Sequence, residues 1–336
     1  MLGEPRCPAP PLSVIVIITN KERRRSDVRA GRRAICVALA CVALVLAGCS
    51  TGSSAGSITD PGISRVLNVV AAENFWGSIA AQLGGTQVKV TSIIDSPDAD
   101  PHEYEATAAD GRAIATADLT LVNGLGYDTW AGKLADANPS SARTILDVGK
   151  LLNAPADANP HRWYNPADVA TVAMQITADY QRADPADARY FDEQYRAFTD
   201  TALANYHATI ADIRTRYAGI PVGASESIFA MLSSALGLDL ITPPSFLTAI
   251  SQGAEPTAAD KMTIDQQINT NAIKVYVYNT QNATPDIQAQ LSAAQSKAIP
   301  VAPITETMPE GAQSWQQWQT DQLHALRDAL RTATGR

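Results

Sequence analysis

Histidine and cysteine are scarce in this chain: 336 residues contain four of each, and aromatic residues make up only 6%. Three of the cysteines, Cys7, Cys36 and Cys41, precede Cys49. A chain cut before Cys49 keeps one thiol, so no internal disulfide can staple the fold and an apolar core has to hold it. Long apolar runs are absent too. The run Ala34–Ala47 covers 14 residues, fewer than the roughly 20 a spanning helix needs. There is no His-Glu-x-x-His helix, no Gly-x-Ser-x-Gly elbow and no Gly-rich phosphate loop. The main zinc-protease and serine-hydrolase signatures are therefore missing, and so is a nucleotide-hydrolysing centre.

What is present begins with the N-terminal 48 residues. Arg23, Arg24, Arg25, Arg29, Arg32 and Arg33 precede the apolar run, which ends in Leu46-Ala47-Gly48-Cys49. A charged region, a short apolar region and a small-residue cleavage site form a secretory signal. The Leu-Ala-Gly-Cys wording resembles the lipobox of bacterial lipoproteins, which implies that Cys49 becomes the lipid-bearing N-terminus. The apolar stretch Leu12–Ile18 does not fit such a signal, so translation is expected to start nearer Val28. The alternative to cleavage is an uncleaved anchor helix.

The first 48 residues hold eight of the 26 Lys and Arg and three of the 34 Asp and Glu, so their removal leaves a net charge of −13. Such an acidic exported chain is a poor nucleic-acid binder and a reasonable collector of cations. Residues 49–64, rich in Ser and Gly, read as a lipidated cysteine and flexible tether, reaching about 20 Å for 15 residues. Beyond it, short apolar runs alternate with helical patterns, the mark of parallel sheets covered by helices. Strands are predicted at Val66–Ala71, Val88–Ile94, Leu119–Asn123 and Thr144–Val148, and again at Pro221–Ala224, Leu238–Ile241, Lys274–Tyr278 and Pro300–Ile304. The fold class is α/β: two lobes, 65–183 and 218–336, each a mostly parallel sheet flanked by helices. One long rigid helix over 184–217 joins them. Its apolar spacing from Phe191 to Tyr217 and its lack of interior Gly or Pro favour continuity, against an alternative pair of helices broken near Thr199–Thr201.

Two of the four histidines directly follow proline, in Asp100-Pro101-His102-Glu103-Tyr104-Glu105 and Asn159-Pro160-His161-Arg162-Trp163. Proline restricts the backbone on both sides of its peptide bond, which suits a loop that must aim an imidazole at a cation. A single Pro-His step is ordinarily only a turn. Together with Asn123-Gly124-Leu125-Gly126, however, the two segments resemble the metal-specific solute-binding proteins of zinc and manganese ABC transporters (cluster A-I). That resemblance implies that His102 and His161 are ligands, completed by Glu226 in Ser225-Glu226-Ser227 and Glu306 in Thr305-Glu306-Thr307. Glu306 stands where relatives place an Asp, which leaves the carboxylate bite open. Taken by themselves, Glu226 and Glu306 also read as solvated residues at helix starts. Asn165 is the expected cap of a helix beginning at Pro166. Glu103, Glu105, Tyr104 and Trp163 are placed as supporting residues around the ligands, and His207 and His324 as surface or packing residues.

The resemblance implies a lipid-tethered receptor that is not an enzyme. It would sit at the outer face of the bacterial cytoplasmic membrane, capture one divalent transition metal ion, zinc or manganese, between two lobes, and deliver it to a permease served by a separate ATPase subunit. A monomer is expected, with no nucleic-acid partner. Two imidazoles and two carboxylates suit zinc, manganese or ferrous iron better than calcium or magnesium. Affinity is expected to fall as pH drops toward about 6, because protons compete with the metal for imidazole nitrogen. The rival readings are a surface-anchored zinc hydrolase and a metal-binding adhesin.

Overall fold

The computed structural model describes residues 65–336 except Asp98, Asp100, Glu103 and Ala283; the leader, Cys49 and the tether lie outside the described residues. The first lobe sets β1 (Leu67–Glu73), β2 (Val88–Ile94), β3 (Leu119–Val122) and β4 (Thr144–Asp147) in the order β2-β1-β3-β4, with every pair parallel. Between and after them come α1 (Asn74–Gly84), α2 (Ala108–Ala115), α3 (Thr129–Ala137), the short α4 (Val148–Leu151) and α5 (Pro166–Ala183). Local chemistry sets the boundaries. Thr107 and Asp110 form a reciprocal capping box at α2, and Asn165 accepts from the Ala167 N–H ahead of Pro166, as the sequence predicts for α5.

The joining segment differs from the uniform helix expected over 184–217. It opens with a 3-10 turn at Pro185–Asp187 and runs through α6 (Ala188–Arg196), a π-helical stretch at Ala197–Ala202 and α7 (Ala204–Tyr217). The irregularity coincides with Thr199, whose hydroxyl bonds back to the Tyr195 carbonyl at 3.1 Å. This competition with the backbone bends helices, and a residue inserted into one turn gives the π geometry.

The second lobe repeats the first. Strands β5 (Pro221–Ala224), β6 (Asp239–Leu240), β7 (Val275–Asn279) and β8 (Val301–Ile304) lie in the order β6-β5-β7-β8, again all parallel. They are covered by α8 (Ile228–Leu236), α9 (Pro244–Ser251), α10 (Ala258–Asn269), α11 (Pro285–Ser296) and α12 (Trp315–Thr334). No helix among the described residues is long and apolar enough to cross a membrane.

One continuous set of buried apolar side chains runs through both lobes, including Phe75, Trp163, Tyr206 and Trp315. The lobes are also tied by polar contacts. Asn74 on α1 exchanges hydrogen bonds with the backbone of Met308, Ser78 accepts from the Trp315 N–H, and Gln82 and Gln316 bond amide to amide. These ties bind the segment after β8 to α1 of the first lobe, which disfavours a wide opening of one lobe against the other.

Candidate metal centre

In an open parallel sheet, ligands gather beyond the carboxyl ends of the strands, where the strand order reverses. The reversals here lie between β1 and β3 in the first lobe and between β5 and β7 in the second. The segments after these strands carry one predicted ligand and several of its neighbours: Tyr127 and Asp128 after β3, Glu226 after β5, and Asn279 to Asn282 from the end of β7. His102 follows the neighbouring β2, His161 follows α4, and Glu306 follows β8. A cleft of about 800 Å³ opens among them, lined by His102, Glu226, Gln281, Asn282 and Glu306.

His161 is buried and held from one side. Its Nδ1 lies 2.7 Å from Asn159 Oδ1, which also accepts the His161 backbone N–H, while Asn159 Nδ2 donates to the Ser227 carbonyl. The two backbone partners fix which end of the Asn159 amide faces the ring, so Nδ1 must be the donor. Nε2 is then the atom that faces Glu306, 3.6 Å from its Oε1. Two ligands on one tetrahedral ion with bonds of about 2.0–2.1 Å are separated by about 3.3 Å. The two atoms thus stand close to the edge length of such a site. Trp163 stacks on Phe75 with ring centroids 3.8 Å apart, sits 5.2 Å from the His161 ring and donates from Nε1 to the Glu306 carbonyl. An aromatic wall therefore fixes both the imidazole and the backbone that bears the carboxylate.

The two carboxylates are held differently. Glu306 accepts from the Tyr127 hydroxyl at 2.9 Å. Burial pushes its carboxyl up, but the hydrogen bond and charge of His161, the Tyr127 hydroxyl and the charge of His102 outweigh it and leave it below the usual value. Glu226 is buried, and burial followed by the negative charge of Glu306 pushes its carboxyl up. Asn279 and Asn282, each donating to one of its oxygens, oppose that rise. Two acids repelling each other in a confined cleft gain stability from a cation placed between them.

His102 is the exposed member of the set, its ring edge-on to Tyr127 at 4.8 Å. Tyr127 also stands 6.0 Å from His161, so one phenol touches both predicted imidazoles and one predicted carboxylate. Among the described residues, no group of three or more His, Cys, Asp or Glu side chains is spaced so that it could hold a metal ion. The observed convergence is the 3.6 Å approach of His161 to Glu306, with His102 and Glu226 lining the same cleft.

Several sequence expectations need correction. Glu226 lies in the turn before α8, which starts at Ile228, and Glu306 lies on a loop that reaches α12 only at Trp315; neither is a solvated residue at a helix start. The Tyr104 hydroxyl donates to Asp110 and its ring packs against Trp130, contacts that brace α2 and α3. Glu105 is exposed, and Glu103 lies outside the described residues. Other expectations agree with the structure: His207 is exposed on α7, and Trp315 and Trp318 are buried in packing. Sequence reasoning missed Tyr127, Asn159, Asn279, Gln281 and Asn282. Asn159 stood inside the Pro-His segment already singled out, and the other three amides follow a strand at its carboxyl end, where ligands gather.

The family described as zinc-uptake complex component A, periplasmic (ZnuA), matches residues 69–329. A manganese-binding lipoprotein, MntA, of Halalkalibacterium halodurans is 27% identical over 210 residues, covering 60% of this chain and 66% of the relative. The MntA of Bacillus subtilis is 28% identical, over 50% of this chain and 56% of its own. The zinc-binding lipoprotein AdcA of Streptococcus pneumoniae is 24% identical over 73% of this chain and 51% of its own. The chain therefore spans between about half and two thirds of the length of these relatives. Among solved structures, a manganese-bound periplasmic metal binding protein from Candidatus Liberibacter asiaticus superposes with a TM-score of 0.66 at 17% identity, over 78% of this chain and 98% of the other. A laminin-binding adhesin of Streptococcus agalactiae gives 0.65 at 20% identity, over 79% and 99%. These two likenesses establish the fold: two parallel-sheet lobes flanked by helices.

Proposed function

Because this chain belongs to the ZnuA family of periplasmic zinc-uptake components, we propose that it is the extracytoplasmic receptor of an ABC importer, capturing one divalent transition metal ion as cargo. The observation that carries the reading is His161 Nε2 facing Glu306 Oε1 at 3.6 Å, with Glu306 lining one cleft together with His102 and Glu226. Two neutral imidazoles and two carboxylates neutralise a doubly charged cation, which removes the main cost of burying it. The chain is organised as a cleaved leader (1–48), a lipid-bearing Cys49 with tether (49–64), and two lobes (65–183 and 218–336) joined by residues 184–217. Through Cys49 it is held at the outer face of the cytoplasmic membrane, where it passes the ion to a permease driven by a separate ATPase chain. Zinc and manganese both suit the mixed nitrogen and oxygen donor set, and intrinsic affinity favours zinc. Family membership favours transport over the hydrolase reading.

Titration of the metal-free protein with Zn²⁺ and with Mn²⁺, followed by competition between them, tests this. One ion per chain is expected, with zinc displacing manganese. Failure to bind either ion, or a stoichiometry other than one, would sink the proposal.

A further inference from the structure

The four residues that begin at the end of β7, Asn279-Thr280-Gln281-Asn282, place three side-chain amides against the segments that carry the ligands. Asn279 and Asn282 each donate to one oxygen of Glu226. Gln281 Oε1 accepts from the backbone N–H groups of Glu306 at 2.6 Å and Thr307 at 3.0 Å, while its Nε2 donates to Thr307 Oγ1 and, across the cleft, to the Pro97 carbonyl. Pro97 precedes His102 on the same loop of the first lobe. Gln281 thus has all its hydrogen-bonding capacity used between a loop of each lobe.

Resting on the metal reading above, we infer that Asn279, Gln281 and Asn282 are positioning residues that set metal affinity by fixing both carboxylates before the ion arrives. The chemistry of the donors matters as much as their place. An Arg or Lys beside Glu226 would hold the carboxylate equally well, but it would cancel the charge that attracts the cation and compete with it. A neutral amide orients the anion and leaves its charge to the metal. Without Asn279 and Asn282 on its two oxygens the Glu226 side chain would be free to turn out of the cleft, and that rotation would have to be reversed before it could ligate. Asn279 is additionally fixed by its own backbone, which donates to Ser225 Oγ and so ties the end of β7 to the turn that bears Glu226. Each of the three amides therefore belongs to a network that spans two or more chain segments.

Asn282 lies on the loop and can be replaced without cutting into the sheet. Asn282→Leu, similar in size but without a donor, is expected to weaken Mn²⁺ binding by roughly 10–100-fold, the usual scale for a ligand's outer partner. Asn282→Gln, which keeps the amide, should recover most of that loss. The melting temperature of the metal-free protein should stay close to wild type in both variants. Gln281→Ala gives an independent arm and should show a similar loss, expressed mainly as faster release of Mn²⁺ to a chelator. Affinities within twofold of wild type for Asn282→Leu and Gln281→Ala would overturn the inference. So would equal losses in Asn282→Leu and Asn282→Gln, since packing rather than hydrogen bonding would then explain them. A wild-type protein that takes up no Mn²⁺ or Zn²⁺ would overturn the metal reading and this role with it; wild-type binding with unaltered variants would overturn this role alone.

Discussion

Replacing His161 with alanine is expected to abolish stoichiometric metal binding while the lobes stay folded. The imidazole is 1% exposed, so no side chain from solvent can take its place. Its loss also strands Asn159 Oδ1, which would keep only the backbone N–H of residue 161 as a donor. The effect should exceed the roughly 10–100-fold that follows loss of an outer partner, because a donor atom itself disappears. Folding should survive, since His161 sits on a loop and the adjacent Trp163 keeps its stack on Phe75 and its hydrogen bond to the Glu306 carbonyl. His102→Ala should also lose stoichiometric binding, although a water molecule can more readily fill the position of an exposed ligand. Calorimetric titration of both variants with Zn²⁺, beside circular dichroism of the metal-free forms, checks this. Full affinity in His161→Ala would contradict the assignment.

The fold was largely legible because parallel strands leave short apolar runs between helical patterns. Val88–Ile94 and Pro221–Ala224 match the strands residue for residue, and the other six shift by one or two positions at their ends. Those ends are set by ladder hydrogen bonds rather than by hydropathy. The edge strand is shorter, at Asp239–Leu240, than the expected Leu238–Ile241, although the Ile241 N–H still donates to the Val222 carbonyl of β5 at 3.0 Å. The π-helical stretch at Ala197–Ala202 could not be read from apolar spacing, since Phe198 within it and Phe191 and Tyr206 on either side all stay buried. For the centre, the imidazoles were conspicuous through their proline neighbours. The residues that hold them were not, because Asn and Gln carry no charge and have the composition of an ordinary surface loop. Tyr127 gave no signal at all: its hydroxyl reaches Glu306 only after residues 179 positions apart meet across the two lobes.

Glu73 was equally silent, and its replacement should have an effect on stability that grows with pH. It ends β1 and is fully buried; beyond its own backbone, no N–H or hydroxyl of the described residues reaches its carboxyl oxygens, and its side-chain hydrogen-bond partner is the Asp128 carboxylate. Burial, reinforced by the nearby charge of Asp128, pushes its carboxyl well above the usual value, so the folded protein keeps it protonated. The unfolded chain releases that proton near the ordinary glutamate value of about 4.3. Above that pH the folded state binds more protons than the unfolded one, and stability falls with rising pH until the folded group itself ionises. Glu73→Gln mimics the protonated acid and removes this loss. Its stability advantage over wild type should therefore be small near pH 4.5 and widen by up to about 1.4 kcal/mol per pH unit above it.

Asp128 gives a different pH profile for the same kind of change. Burial pushes its carboxyl up to about 6, opposed by the backbone N–H groups of Gly124 and Asn123. Those groups donate to its two oxygens at 2.8 and 2.6 Å. An unfolded value of about 3.9 makes its own contribution to the loss of stability roughly 3 kcal/mol, complete above pH 6. Asp128→Asn removes that term, yet it turns an N–H toward one of two backbone donors and leaves a buried donor unmet, at a cost of about 1–3 kcal/mol. The contrast lies in the pH dependence: Glu73→Gln should gain steadily from pH 5 to 8, whereas any gain in Asp128→Asn should stop near pH 6 and be offset by the lost acceptor. Urea unfolding of the three metal-free proteins at half-unit steps across that range measures both. A Glu73→Gln curve parallel to wild type would mean that the buried Glu73 carboxyl is ionised in the folded protein.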